Sequence, residues 1–247
     1  MSWHLIKYVL TAAARDKIMM VLLLMIAIVT AVAIFMGAAS VTERQAFALI
    51  LGAGGLRFLA SAGTVLFCAF YIRRAYEAKE VEFLLARPIT RASFLFSHAI
   101  AFALISLAVV FAVTLPVLVL SNASLGAFVW GASLIVECTI MALVALFFSM
   151  TLSSAAGSAL AALGFYALAR MSGVLIGIAS LPSGNWAFVI LSNVMKLLSI
   201  LIPRLDLMGQ TSWLVYGVGG SAGVQFMPDA SSYAYWLSAH IGLGGFI

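Results

Sequence analysis

Ile18-Met-Met-Val-Leu-Leu-Leu-Met-Ile-Ala-Ile-Val-Thr-Ala-Val-Ala-Ile-Phe-Met36 is a run of nineteen residues without a charge. At a rise of about 1.5 Å per residue it makes a helix of roughly 28 Å, close to the ~30 Å hydrocarbon layer of a bilayer. The whole chain shares this character. Apolar residues make up 65% of its 247 residues and charged residues only 9%, with a mean hydropathy of +1.18. Ordinary soluble domains carry roughly a quarter charged residues, so the chain reads as an all-α polytopic membrane protein.

Working outward from that first span, residues 2–17 alternate Trp3, Leu5, Ile6, Val9 and Leu10 with Lys7, Arg15, Asp16 and Lys17. This pattern predicts an interfacial elbow helix, with Trp3 and Tyr8 at headgroup depth. Further apolar runs predict spans at 56–72, 93–119, 125–150, 155–179 and 230–247, six in all with 18–36. Residues 46–55, broken by Gly52, Gly54 and Gly55, read as a short external helix or loop, with Arg57 at the outer end of the second span. The segment 180–229 is punctuated by Pro182, Pro203, Pro228 and a glycine-rich stretch, and reads as short helices dipping into the outer leaflet. Cys68 and Cys138 lie inside apolar runs and read as small buried hydrophobes.

Basic residues near span ends set orientation. Lys7, Arg15, Lys17, Arg73, Arg74, Lys79, Arg87 and Arg91 fall on one side, against Arg44, Arg57, Lys196 and Arg204 on the other. The expected arrangement puts the first group and both termini in the cytoplasm of a bacterial inner membrane. The formal charge of +5 is explained by this bias, and nucleic-acid binding is not expected.

The stretch Tyr76-Glu-Ala-Lys-Glu-Val-Glu-Phe-Leu-Leu-Ala-Arg-Pro-Ile-Thr-Arg91 holds three of the eight acids and three of the thirteen bases, between two apolar spans. Val81, Leu84 and Leu85 gather on one side of a helix over 76–86, early glutamates and late Arg87 suit its dipole, and Pro88 ends it. This stretch resembles the signature of ABC type-2 exporter permeases, in which an acidic residue, a leucine-rich turn and Pro-x-Ser/Thr-Arg lie between the second and third spans. The family's usual Gly-Thr is Lys79-Glu80 here, and His98 stands where a lysine is often found. Ile202-Pro203-Arg204-Leu205-Asp206-Leu207 is similar to the family's proline-centred segment after the fifth span.

The resemblance implies a single permease domain over 1–247, with an elbow helix, six spans and an outer gate of short helices. It implies that 76–86 is a coupling helix seated in an ABC ATPase subunit, with Glu77, Glu82, Leu84, Leu85, Pro88 and Arg91 as docking residues. Lys196, Pro203 and Arg204 would then belong to the outer gate. The chain has no Gly-x-x-x-x-Gly-Lys-Ser/Thr loop, so it is not expected to be an enzyme by itself. ATP and Mg are expected on the partner ATPase, no cofactor or metal on this chain, and a second copy or related permease is expected beside it.

Two charges fall within predicted spans. Glu137 would cost roughly 2.5–3.5 kcal/mol facing lipid at a helix centre, so it is expected to face a partner. Glu137 and Arg170 are candidates for the translocation path, weighed against a packing role in which Glu137 is protonated or pairs with Arg170 or hydroxyl neighbours. Arg57 and Lys196 read as headgroup anchors that snorkel outward. A rival reading is an intramembrane protease. Ser238-Ala-His240-Ile-Gly-Leu-Gly-Gly245 resembles the histidine-bearing last helix of rhomboids, with Ser133 in Gly131-Ala-Ser-Leu134 as the nearest serine. A non-catalytic membrane scaffold and a secondary transporter complete the alternatives, although no internal repeat supports the latter.

Overall fold

The computed structural model describes residues 3–40, 43–78, 91–122, 124–179, 190, 203, 205–208, 210–211 and 214–215. Six α-helices follow one another: α1 (Trp3–Ala14), α2 (Lys17–Ala39), α3 (Arg44–Glu77), α4 (Arg91–Leu120), α5 (Leu125–Thr151) and α6 (Ala155–Ala179). A 3-10 turn covers Leu205–Leu207, and no strand occurs among the described residues. Among the described residues four helices are long and apolar enough to cross a membrane: α2, α3, the Ala92–Leu120 part of α4, and α5. α6 has the bounds expected of the fifth span. The expected sixth span, 230–247, and most of 180–229 lie outside the described residues.

Local sequence sets the breaks between helices. Asp16 is extended, and its side chain accepts from Ile18 N at 2.8 Å, capping α2 two residues after α1 ends. Asn122 takes a left-handed conformation in the turn after α4, and Ser124 Oγ accepts from Ala127 N at 3.3 Å to cap α5. Pro116 lies in the last turns of α4 without ending it.

The second span differs from its sequence expectation. Arg44–Glu77 is one uninterrupted helix of 34 residues, about 51 Å long, and 46–55 is part of it. Two of the glycines that suggested a break, Gly52 and Gly55, instead let α2 approach, while Gly54 faces open space. A Cβ at Gly52 would stand 3.1 Å from Ala33 Cβ, and one at Gly63 would stand 2.5 Å from Leu22 Cδ1. Gly37 on α2 meets Ala48 in the same way, at 2.6 Å. Small residues at such contacts are a common basis for helix association in lipid, where no water competes for the backbone.

α3 is the hub. It packs on α2, α4, α5 and α6, while α1 packs on α4, and α6 on α5 and the 3-10 turn. Of its most apolar stretch 61% is buried, against 17% for α2. Phe35, Phe96, Phe111, Val119, Leu125, Phe147 and Leu160 point outward, whereas Arg57, Ser61, Thr64, Ser106 and Glu137 are buried. Aromatic and aliphatic surface outside with charge inside suits hydrocarbon as the surrounding solvent.

One end of the bundle collects the bases. Arg74, near the end of α3, pairs with Asp16 at the start of α2. Leu5, Ala75 and Phe94 pack together, joining α1, the end of α3 and the start of α4. α1 covers 3–14 within the segment expected to be amphipathic and lies on this end. It buries Leu5, Ile6, Val9 and Ala13 and exposes Trp3, Lys7 and Tyr8.

Candidate functional site: a buried ion pair joined to a buried turn

Glu137 lies one residue before the midpoint of α5, and Arg57 lies within a turn of the midpoint of α3. Both are buried, with exposures of 0% and 4%. Arg57 Nε donates to Glu137 Oε1 and Oε2 at 3.1 and 3.0 Å, and Nη2 donates to Oε2 at 2.7 Å. Tyr166 on α6 donates its hydroxyl to Oε1 at 3.0 Å, and Ser61, one turn along α3 from Arg57, reaches the same oxygen at 3.4 Å. Every donor that the carboxylate meets is thus in place across three helices. A forked guanidinium on a carboxylate is the strong form of such a bond.

The pair does not end at the helices. Arg57 Nη2 also donates to the backbone carbonyl of Met208. Arg170 Nη1 on α6 donates to the carbonyls of Leu205 and Met208, at 2.6 and 3.1 Å. Ser172 Oγ donates to Asp206 Oδ1 at 3.1 Å. Leu205 is fully buried. In hydrocarbon an unpaired carbonyl costs several kcal/mol, so irregular backbone survives only where protein groups satisfy it. Two arginines do so here. The residues Arg57 and Arg170 balance Glu137 and Asp206 in formal charge.

Several sequence expectations change in this geometry. Arg57 is no headgroup anchor; it is the direct partner of Glu137, because α3 continues through 46–55 and carries it to mid-helix. Glu137 pairs with Arg57, not with Arg170, and Arg170 serves carbonyls instead. Ser61 confirms the expected hydroxyl neighbour. Pro203 is half-buried and precedes the 3-10 turn, its carbonyl accepting from Leu205 N at 2.9 Å. Tyr166, Asp206 and the turn carbonyls were not anticipated. Burying opposite charges implies partners, but nothing in sequence spacing ties 57 to 137 or 170 to 205.

Glu77 is the exposed last residue of α3, and Arg91 is the first residue of α4. Glu82, Leu84, Leu85 and Pro88 lie outside the described residues, as do Lys196, Arg204 and the Ser238–Gly245 stretch with His240. Ser133 Oγ donates to Trp130 O of its own helix at 2.8 Å, an ordinary arrangement for a helical serine. His98 is buried, with Nδ1 3.0 Å from Phe94 O and its ring 4.2 Å from that of Phe94. Cys68 and Cys138 are both free and buried, as the sequence suggested. Among the described residues no cluster of His, Cys, Asp or Glu could hold a metal ion.

No family model matches this chain, and neither a curated protein nor a solved structure does.

Proposed function

We propose that this chain is the membrane-spanning permease subunit of an ATP-driven exporter, worked by a separate ABC ATPase that grips the segment following α3. The observation that carries the reading is the continuity of α3. It runs unbroken from Arg44 to Glu77, the first residue of the docking motif, and holds Arg57 on the way. Glu77 lies twenty positions along α3 from Arg57, or about 30 Å of rigid helix. Displacing the motif end would tilt α3 as a rod and shift Arg57 against Glu137 and the Met208 carbonyl. Because α3 touches α2, α4, α5 and α6, the tilt reaches the other described spans.

In this reading the end bearing α1, Arg15, Lys17 and Arg74 faces the cytoplasm of a bacterial inner membrane. Segment 180–229 forms the outer gate with Lys196, Pro203 and Arg204, and the chain pairs with a second copy or a related permease. The buried network would act as the latch of that gate, because the guanidinium groups of Arg57 and Arg170 hold the turn at 205–208. Glu137 contributes by fixing Arg57. Its own lone pairs are taken by protein donors, which favours positioning over direct contact with cargo.

The test uses the docking segment. Glu82→Lys should abolish co-purification of an ATPase, weakening association at least about tenfold, the ~1.4 kcal/mol or more that a misplaced like charge costs. The variant should still insert and elute as wild type does. Wild-type ATPase binding and stimulation by this variant would remove the docking role from 76–91.

A further inference from the structure

At the basic end of the bundle, α1, the start of α2 and the end of α3 enclose a cleft of about 600 Å³ lined by Tyr8, Arg15, Asp16, Lys17, Tyr71 and Arg74. We propose that this cleft seats the phosphodiester headgroup of an anionic phospholipid, in the leaflet at the elbow end. The inference rests on the membrane reading alone and stands whether or not the chain is a permease.

Charge is the first reason. Three bases face one acid, and that acid is engaged: Asp16 pairs with Arg74 and caps Ile18. Arg15 and Lys17 are exposed and have no acidic partner among the described residues. They leave the cleft with a net charge of about +2, and a basic pocket between helices at a membrane surface favours anionic headgroups.

Depth is the second reason. Asp16, Lys17 and Ile18 line the cleft, and the uncharged run of α2 begins at Ile18. The guanidinium and ammonium groups therefore sit where hydrocarbon gives way to headgroups. Trp3 and Tyr8 are exposed on the neighbouring elbow helix, as aromatic side chains at this level commonly are. Within two turns of Ile18, Met20, Val21 and Leu24 are exposed on α2. They offer an apolar flank along which acyl chains can descend from a headgroup held above. A soluble phosphate compound would use the bases but gain nothing from that flank.

The experiment is native mass spectrometry of the full chain in detergent, titrated with phosphatidylglycerol. Phosphatidylcholine and glycerol 3-phosphate serve as separate arms. Phosphatidylglycerol should be retained, with phosphatidylcholine held at least roughly tenfold more weakly. Arg15→Gln with Lys17→Gln should weaken phosphatidylglycerol on the order of tenfold or more, given what each base contributes near an anionic surface. Unchanged elution and helix content will show that this variant is folded. Lys7→Gln, on the elbow outside the cleft lining, should leave the affinity unchanged. Equal retention of both lipids, or wild-type affinity in the double variant, would overturn the proposal. Glycerol 3-phosphate binding as tightly as the lipid would reassign the cleft to a soluble phosphate ligand. Binding that appears only after Glu80→Gln with Glu82→Gln would show that the chain's own acidic segment fills it, and would likewise refute the proposal.

Discussion

Replacing Glu137 by glutamine tests whether Arg57 and Glu137 hold the bundle together. The substitution keeps the shape of the side chain but removes the carboxylate charge that Arg57 meets among the described residues. Around the carboxylate stand donors from Arg57, Ser61 and Tyr166 at 2.7–3.4 Å. The two hydroxyls can turn to accept from the new amide, but a guanidinium cannot accept. The glutamine oxygen will therefore face Arg57, putting a neutral acceptor where the buried cation had a carboxylate. Removing one partner of a buried pair costs about 3–5 kcal/mol in soluble proteins. Retention of Met208 O and partial pairing in the unfolded state within the micelle lower that to about 2–3 kcal/mol. Arg57→Met alone should cost a similar amount, because it strands the carboxylate. Arg57→Met with Glu137→Gln should lose less than the sum of the single changes, with a coupling of about 2 kcal/mol. Unfolding by dodecyl sulfate in mixed micelles, followed by helix content, measures all four proteins. A Glu137→Gln protein within about 0.5 kcal/mol of wild type, or singles that add in the double variant, would refute the bond as a stabilising link.

Two further outcomes are expected. Arg170→Met removes one charged donor each from the Leu205 and Met208 carbonyls, which keep Met208 N and Arg57 Nη2 as donors; a hydrogen bond to a charged group is worth about 1.5–3 kcal/mol. In a Cys68→Ala, Cys138→Ala background, a Met208→Cys reporter should then react with a permeant maleimide at least about tenfold faster, the effect of 1.4 kcal/mol or more on opening; an unchanged rate would mean the turn is held by something else. Gly37→Ala places a methyl 2.6 Å from Ala48 Cβ and 2.9 Å from Arg44 O, so α2 and α3 must separate. It should cost about 1–3 kcal/mol in the same unfolding titration. Gly54→Ala, where nothing lies within 4 Å, should be neutral or slightly stabilising, and equal losses at both positions would refute the packing account.

The helices at 18–36, 93–119 and 125–150 were legible because a span needs only length and the absence of charge, and both are local properties. The helix at 155–179 and the amphipathic helix within 2–17 were also legible from local pattern, the latter because its buried stripe repeats at helical spacing. The break expected within 46–55 was misread. Gly52 and Gly55 carry the same letters whether they end a helix or admit a neighbour, and only the position of α2 distinguishes the two. Arg57 was misplaced as a consequence.

The sequence by itself determined the solvent of this protein, since a chain with so few charges can satisfy its side chains only in hydrocarbon. It also determined that Glu137 and Arg170 needed partners, because an isolated charge in that solvent is too costly to keep. Tertiary structure decided which partners they took. Arg57 reaches Glu137 across 80 positions and Arg170 reaches Leu205 across 35, pairings created by helices packing side by side. The physical reason is that apolar content is additive along a chain, whereas a hydrogen bond depends on where two distant atoms are brought in space.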